Sequence, residues 1–329
     1  MRTGKRAIRA LGGLLALVAG LTPAAAANRQ EEPGKQPAEQ APVIRTEVSL
    51  VNLFATVRDK NKRIIPDLTQ KDFHVFEDNQ EQKIAFFSRE VNLPITLGLL
   101  IDTSLSEERR LPIEEEASSA FFHRVLRKGD EAMIINFDLD AGLLTDFTDD
   151  LSTLDSAIRK AQIRAVQEDV ATPSTFPTGS NTPSTVFYDA VYLACNDKLS
   201  QEAGRKAIVV ITDAMDEGSE RTLEDAIEAA QRTDTVVHIL LVYDPGYGNR
   251  SDVAKRMAEE TGGRIINVGS GKHLDEAFDQ ISEELRSQYV LGYYPANTSH
   301  DGRFRKIRVA VDRKDAKILT RKGYYAPTN

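Results

Sequence analysis

Five short apolar runs, ITLGLLI, AMIINF, AIVVIT, VVHILLV and RIINV, recur between Leu93 and Gln288 and alternate with amphipathic stretches. A strand that is apolar at every position must be covered on both faces, and the helical patterns between the runs supply that cover. They fall at Pro112 to Arg127, Leu151 to Ala161, Val186 to Leu199, Leu223 to Arg232, Asp252 to Glu260 and Leu274 to Arg286. The alternation predicts an α/β fold with a doubly wound, mostly parallel sheet flanked by helices. Its span is set at residues 93–288.

The flanks have a different texture. VIRTEVSLVNLFATV, FHVFED and QKIAFFS are strand-like, and the last two flank Asn79 as a hairpin, giving an N-terminal β module over residues 43–92. After Gln288, YVLGYYP, FRKIRVAV and AKILTRKGYYA are strands without companion helices, over residues 289–329. They either extend the α/β sheet or pair with the N-terminal strands in a small all-β module that the α/β domain interrupts. We favour the second. A chain of 329 residues, at roughly 150 per domain, accommodates two such bodies.

Ahead of these lies a three-part export pattern. Arg2, Lys5, Arg6 and Arg9 precede the apolar stretch Ala10 to Leu21, and Ala24 to Ala27 follow, which predicts a signal peptide over residues 1–27. The apolar stretch is too short to span a bilayer, and no cysteine follows it to take a lipid. Residues 28–42 are polar and rich in proline, a disordered linker by composition. The expected product is extracytoplasmic, periplasmic or secreted, with no transmembrane anchor after cleavage. Cleavage removes four positive charges and takes the formal charge from -8 to -12. That balance argues against nucleic acid as a partner. A lone cysteine, Cys195, excludes an internal disulfide and thiolate-rich zinc clusters.

In a parallel α/β sheet, ligands bind beyond the carboxyl ends of the strands. Asp102, Ser104 and Ser106 follow the first buried run, Asp213 follows AIVVIT, and Thr185 enters the helix that begins near Val186. Two carboxylates and three hydroxyls form an all-oxygen set suited to a hard divalent cation, Mg²⁺ or else Ca²⁺ or Mn²⁺. The plainer account is that the two aspartates cap helices and the serines satisfy local backbone groups.

These five residues resemble, one by one, the metal-ion-dependent adhesion site of the von Willebrand factor type A (VWFA) domain. The flanking segments LTQKDFHVFEDNQEQKIAFFSRE, LRSQYVLGYYPAN, DGRFRKIRV and RKGYYAP are similar to the exported, acidobacterial-type VWFA-related family. The resemblance implies an ion held partly through water, with an open position that accepts an acidic side chain from a partner protein. Three positions depart from the family pattern. Leu105 and Ala214 stand where glycine is usual, and Thr182, Pro183 and Ser184 precede Thr185 in place of paired glycines.

Other signals are weaker. Asp216 and Glu217 read as a solvated loop, and Asp138 and Asp140 as a turn. Gly269 to Lys272 lacks the full phosphate-loop spacing, and the five histidines form no hydrolytic motif. Nine basic residues between Arg303 and Lys322 alternate with apolar ones, as on a strand with one solvated face. Tyr289, Tyr293, Tyr294, Tyr324 and Tyr325 are expected to join the terminal strands to the α/β body. The expected function is non-enzymatic, metal-dependent protein binding of an adhesion or assembly type. The alternatives are a metal-independent scaffold and, third, a metal-assisted hydrolase. The irregular stretch Arg164 to Thr185 would shape partner choice.

Overall fold

The computed structural model describes residues 50–90, 93–163, 185–242, 248–269 and 273–328. The predicted signal peptide, the linker and nearly all of the 164–185 stretch lie outside the described residues. Four strands come first, β1 (Val51–Arg58), β2 (Phe73–Glu77), β3 (Gln80–Gln82) and β4 (Ile84–Glu90). The central region then runs β5 (Ile95–Asp102), α1 (Leu111–Val125), β6 (Glu131–Phe137), β7 (Ala141–Thr148), α2 (Leu151–Ile158) and α3 (Phe187–Leu193). It continues with β8 (Arg205–Thr212), α4 (Leu223–Arg232), β9 (Thr235–Val242), α5 (Ser251–Thr261), β10 (Ile265–Gly269) and α6 (Leu274–Leu285). The last strands are β11 (Gln288–Tyr293), β12 (Phe304–Val311), β13 (Lys317–Leu319) and β14 (Gly323–Tyr325).

The central sheet has the order β10-β9-β8-β5-β6-β7. All neighbours are parallel except β7, which is antiparallel to β6. Period-two geometry sends alternate residues of each run to opposite faces. On β5 and β8, Leu97, Leu99, Ile101, Val209 and Ile211 pack toward α1, α2 and α6, while Leu100, Ile208 and Val210 pack toward α3, α4 and α5. Phe121 of α1 stacks on Phe278 of α6 at 4.4 Å between ring centroids. Truncating either ring to alanine would cost about 3–5 kcal/mol. The sharp return from α5 to β10 depends on two glycines. Gly262 ends the helix at φ 89°, and a Cβ on Gly263 would sit 2.0 Å from the Val237 carbonyl oxygen.

Strand β7 was not legible as a strand. It lies at the sheet edge and most of its side chains are half-buried, so it shows neither a continuous apolar run nor clean alternation. The helix expected over Val186 to Leu199 is α-helical only through Leu193 and continues as a π-helical turn over Ala194–Lys198.

The all-β module is built from both termini, as two antiparallel sheets of order β13-β1-β11-β4 and β14-β12-β2-β3. Leu53, Val57, Phe73, Val75, Tyr289, Leu291, Tyr293 and Ile307 share its core. The Asp78-Asn79 turn has φ of 48° and 69°, the left-handed pair that a tight β2–β3 hairpin requires. The expected hairpin partner is shorter than predicted. Of the expected partner segment only Gln82, the end of β3, pairs with β2, after which the chain changes sheets and β4 joins β11. Three of the five tyrosines also differ from expectation, because Tyr289, Tyr293 and Tyr324 belong to the module's own core. The Tyr289 hydroxyl donates to the Ile65 carbonyl (2.8 Å), and Tyr293 and Tyr324 donate to Glu77 Oε2 (2.7 and 3.0 Å). Tyr325 does reach the α/β body, its ring lying under Arg232 of α4 at 4.1 Å.

The module meets the amino ends of the parallel strands. Phe54 of β1 shares a small cavity with Ile95, Arg205 and Val236, which begin β5, β8 and β9. The carboxyl ends lie at the opposite pole of the sheet.

Candidate metal centre

Asp102 closes β5 and is fully buried. Its Oδ1 accepts the Ser104 backbone N–H at 3.0 Å, which bends the chain out of the sheet immediately after the strand. Its Oδ2 accepts from the Thr212 hydroxyl at 2.6 Å, tying the ends of adjacent strands β5 and β8 together. The next links are hydroxyls. Ser104 Oγ and Ser106 Oγ lie 3.0 Å apart, and Ser106 Oγ donates to Asp213 Oδ2 at 3.0 Å. Asp213 Oδ1 accepts the Met215 N–H at 2.9 Å. Four of the five predicted residues are thus joined in one hydrogen-bonded set. Thr185 is brought to the same rim by its backbone, whose carbonyl accepts from Glu217 (3.1 Å) and Gly218 (3.3 Å).

The loop after Asp213 is locked to the start of α3 by two further aspartates. Asp216 accepts the Tyr188 N–H (3.0 Å) and the Ser219 hydroxyl (2.6 Å), and Asp189 accepts from Glu220 (3.0 Å) and Arg221 (2.8 Å). Asp216 is therefore a half-buried loop anchor and not the solvated residue expected, whereas Glu217 is exposed. Asp138 and Asp140 form the β6–β7 turn, and the Asp138 carbonyl accepts the Val186 N–H at 2.9 Å, fixing the other side of Thr185.

Buried carboxylates and partly accessible hydroxyls define the electrostatics. Burial, with the Asp213 charge as the second cause, pushes the Asp102 carboxyl up to about 7. Burial also raises Asp213. Ser104, Ser106 and Thr185 are partly accessible, whereas the two acids are buried and lack a full counter-charge. This donor set fits a hard divalent cation, which would supply the charge that burial withholds. Among the described residues no cluster of three or more His, Cys, Asp and Glu could hold a metal. A nitrogen- or sulfur-rich centre has no basis there, and a cation must rely on hydroxyls together with the two carboxylates.

The departure at Ala214 has a visible consequence. Its φ is 61°, in the left-handed region that an L-residue enters at a cost of about 1–2 kcal/mol. The conformation aims the Ala214 N–H at Thr212 Oγ1 (2.9 Å), the same hydroxyl that holds Asp102.

Several residues of the rim escaped the sequence reading. Thr212 looked like the last residue of an apolar strand. Glu107, Arg110, Glu114 and Ser118 are buried immediately beneath the ligand loop, and burial pushes Glu107 up to about 8. Glu114 and Ser118 lie on the stripe of α1 that also carries Leu111, Phe121 and Val125. Polar residues interrupting an apolar stripe were the signal available to find them.

The sheet order and its helical cover define a doubly wound, mostly parallel α/β fold, with hydroxyls and carboxylates gathered at the carboxyl ends of its strands. No family model and no curated protein matches the sequence. Solved structures similar to it include a von Willebrand factor type A protein from Catenulispora acidiphila, with 12% identity, 78% of this chain and 74% of that one covered, and TM-score 0.47. Another is the vWF domain of the type V pili tip protein from Porphyromonas gingivalis, with 12% identity, coverage of 59% and 96%, and TM-score 0.43. A third is proximal thread matrix protein 1 from the mussel byssus with a zinc-occupied MIDAS motif, with 12% identity, coverage of 64% and 49%, and TM-score 0.49.

Proposed function

We propose that this chain is an exported binding protein that takes up a divalent cation at the rim and uses it to recognise an acidic side chain of a partner protein. Ser104 and Ser106 would bind the ion through their hydroxyls, Asp102 and Asp213 directly or through water, and Thr185 would complete the set. Such an ion supplies a concentrated positive charge with an exchangeable position for a carboxylate oxygen, which an acidic protein otherwise lacks. The carrying observation is the hydrogen-bonded run from Ser104 through Ser106 to Asp213, standing over two buried acids whose proton affinities are raised. The chain's residues bind and orient; no general base is assigned, and the proposal includes no reaction. Among the described residues no helix is long and apolar enough to cross a membrane.

The test is thermal melting with Mg²⁺ or Mn²⁺ against EDTA. Saturation at 100 times the dissociation constant should add about 2.7 kcal/mol, and Asp102→Ala should remove the gain. A wild-type protein that melts identically in both conditions would overturn the metal reading. Partner capture that survives EDTA unchanged would favour a metal-independent scaffold.

A further inference from the structure

The rim already contains one fixed cation, and it belongs to the chain. Arg110 occupies the N-cap position of α1, with αR backbone angles and no side-chain cap. That position ordinarily favours Ser, Thr, Asp or Asn, and it lies at the positive end of the helix dipole. A guanidinium there is misplaced for helix stability, and its side chain is only 6% exposed, so burial adds to the cost. What faces it is the ligand loop. Arg110 Nη1 donates to the Ser106 carbonyl at 2.7 Å and lies 3.3 Å from Glu107 Oε2. A single nitrogen, Nη1, therefore holds both the Ser106 carbonyl and the Glu107 side chain, the two groups on either side of the Ser106–Glu107 peptide. With the carbonyl held toward Arg110, the Ser106 hydroxyl is left directed at Ser104 and Asp213.

We propose that Arg110 is a positioning residue for the metal centre, holding Ser106 in its ligand orientation by clamping the Ser106 carbonyl. This rests on the reading that Ser106 binds the cation. Simple electrostatics predicts the opposite effect. A positive charge beside the site repels a second cation, so removing it should tighten metal binding if charge were its only role. Positioning predicts weaker binding, and the sign decides between the two.

The experiment is Mn²⁺ titration of the full chain by electron paramagnetic resonance, with the number of water molecules on bound Mn²⁺ read from proton hyperfine couplings. Arg110→Met should weaken binding by about tenfold or more, the scale on which groups that orient a ligand act. It should also add coordinated water where Ser106 is lost. Arg110→Lys, which keeps the charge on a side chain shorter than the reach of Nη1 to the Ser106 carbonyl, should weaken binding in the same direction. Glu107→Gln, which leaves the Arg110 to Ser106 bond in place, should weaken binding less than Arg110→Met does. Equal or tighter binding with an unchanged water count in Arg110→Met would overturn the proposal. Should that variant fail to fold, unchanged affinity in Arg110→Lys would overturn it equally. Absence of Mn²⁺ binding by the wild type would instead remove the metal reading, and this inference with it.

Discussion

The two ends of the central sheet bury charge in opposite ways. At the amino end, where the β module docks, guanidinium groups predominate: Arg58 and Arg264 both pair with Glu284, Arg286 pairs with Asp130, and Arg205 bonds Gln288 and the Leu285 carbonyl. At the carboxyl end carboxyl groups predominate, with Asp102, Asp213, Glu107 and Glu114 buried against Arg110. Burial lowers the guanidinium of Arg264 to about 10 and raises the acids at the other pole, so each end resists its own charge. The lesson lies in what completes them. The amino end is closed by another part of the same chain, whereas the carboxyl end has partly accessible hydroxyls and a surplus of acid. One end is a seam, and the other holds the acids to which the proposed cation would bind.

The largest effect should come from breaking the seam. Glu284 is 1% exposed and faces two guanidinium groups. Glu284→Ala leaves both without that partner, and removing one member of a buried ion pair costs about 3–5 kcal/mol. Urea denaturation with and without Mg²⁺ checks this, and the loss should be the same in both. A loss that Mg²⁺ restores would mean the two ends are coupled and would blur the contrast drawn here.

Acid and base should then separate the ends. His238 sits in the seam, where burial, followed by the charges of Arg264 and Arg58, pushes it down to about 3. Above its ordinary 6.5 it is neutral in both folded and unfolded chains. As pH falls from 6.5 toward 3 only the unfolded chain takes up the proton, so stability is lost on the acid side. Asp102 is raised, so the sign reverses. Between about 4 and 7 the unfolded chain ionises while the folded chain stays protonated, and the metal-free protein loses stability as pH rises. Each limb can reach about 4 kcal/mol. Denaturant midpoints in EDTA should show both limbs. Asp102→Asn should shrink the upper limb, to which Asp213, Glu107 and Glu114 also contribute, and leave the lower one unchanged, while His238→Leu should shrink the lower limb only. Saturating Mg²⁺ should shrink the upper limb by holding Asp102 ionised. A profile in EDTA unchanged by Asp102→Asn would show that this acid carries no such burden.

These contrasts mark how far the sequence could be read. Runs such as AIVVIT are unambiguous because both faces must be buried, and they locate the carboxyl ends where Asp102 and Asp213 fall. The serine spacing was legible for the same reason. It sits in a short loop whose geometry is dictated by the strand before it. Arg110, Glu107 and Glu114 were not legible, because their burial follows from how α1 lies against the loop, a tertiary fact that periodicity along one helix does not contain. The seam was hidden in the same way. Its partners are separated by 226 residues in the case of Arg58 and Glu284, and neither stands in a local pattern that announces the other. Edge strand β7 failed for a simpler reason, since half-burial erases the pattern on which strand recognition depends.

The smallest effect tests the rim without removing a ligand. Ala214 is held at φ 61° and is fully buried, so its methyl group contributes packing while its backbone carries strain. Ala214→Gly relieves the left-handed conformation, worth about 1–2 kcal/mol. It gives back part of that through a more flexible unfolded chain, about 0.4–1 kcal/mol, and through the lost methyl. The three terms nearly cancel, so the net expectation is a change within about 1 kcal/mol of zero, read as a denaturant midpoint in EDTA close to that of wild type. Because the Ala214 N–H bonds the hydroxyl that holds Asp102, the same variant reports on the site. If the strain serves only to place that N–H, glycine can adopt the same angles and the Mg²⁺-induced stabilisation should be unchanged. A loss of that stabilisation, with the metal-free midpoint unchanged, would show that the buried methyl is part of what keeps Thr212 and Asp102 in register beneath the ion.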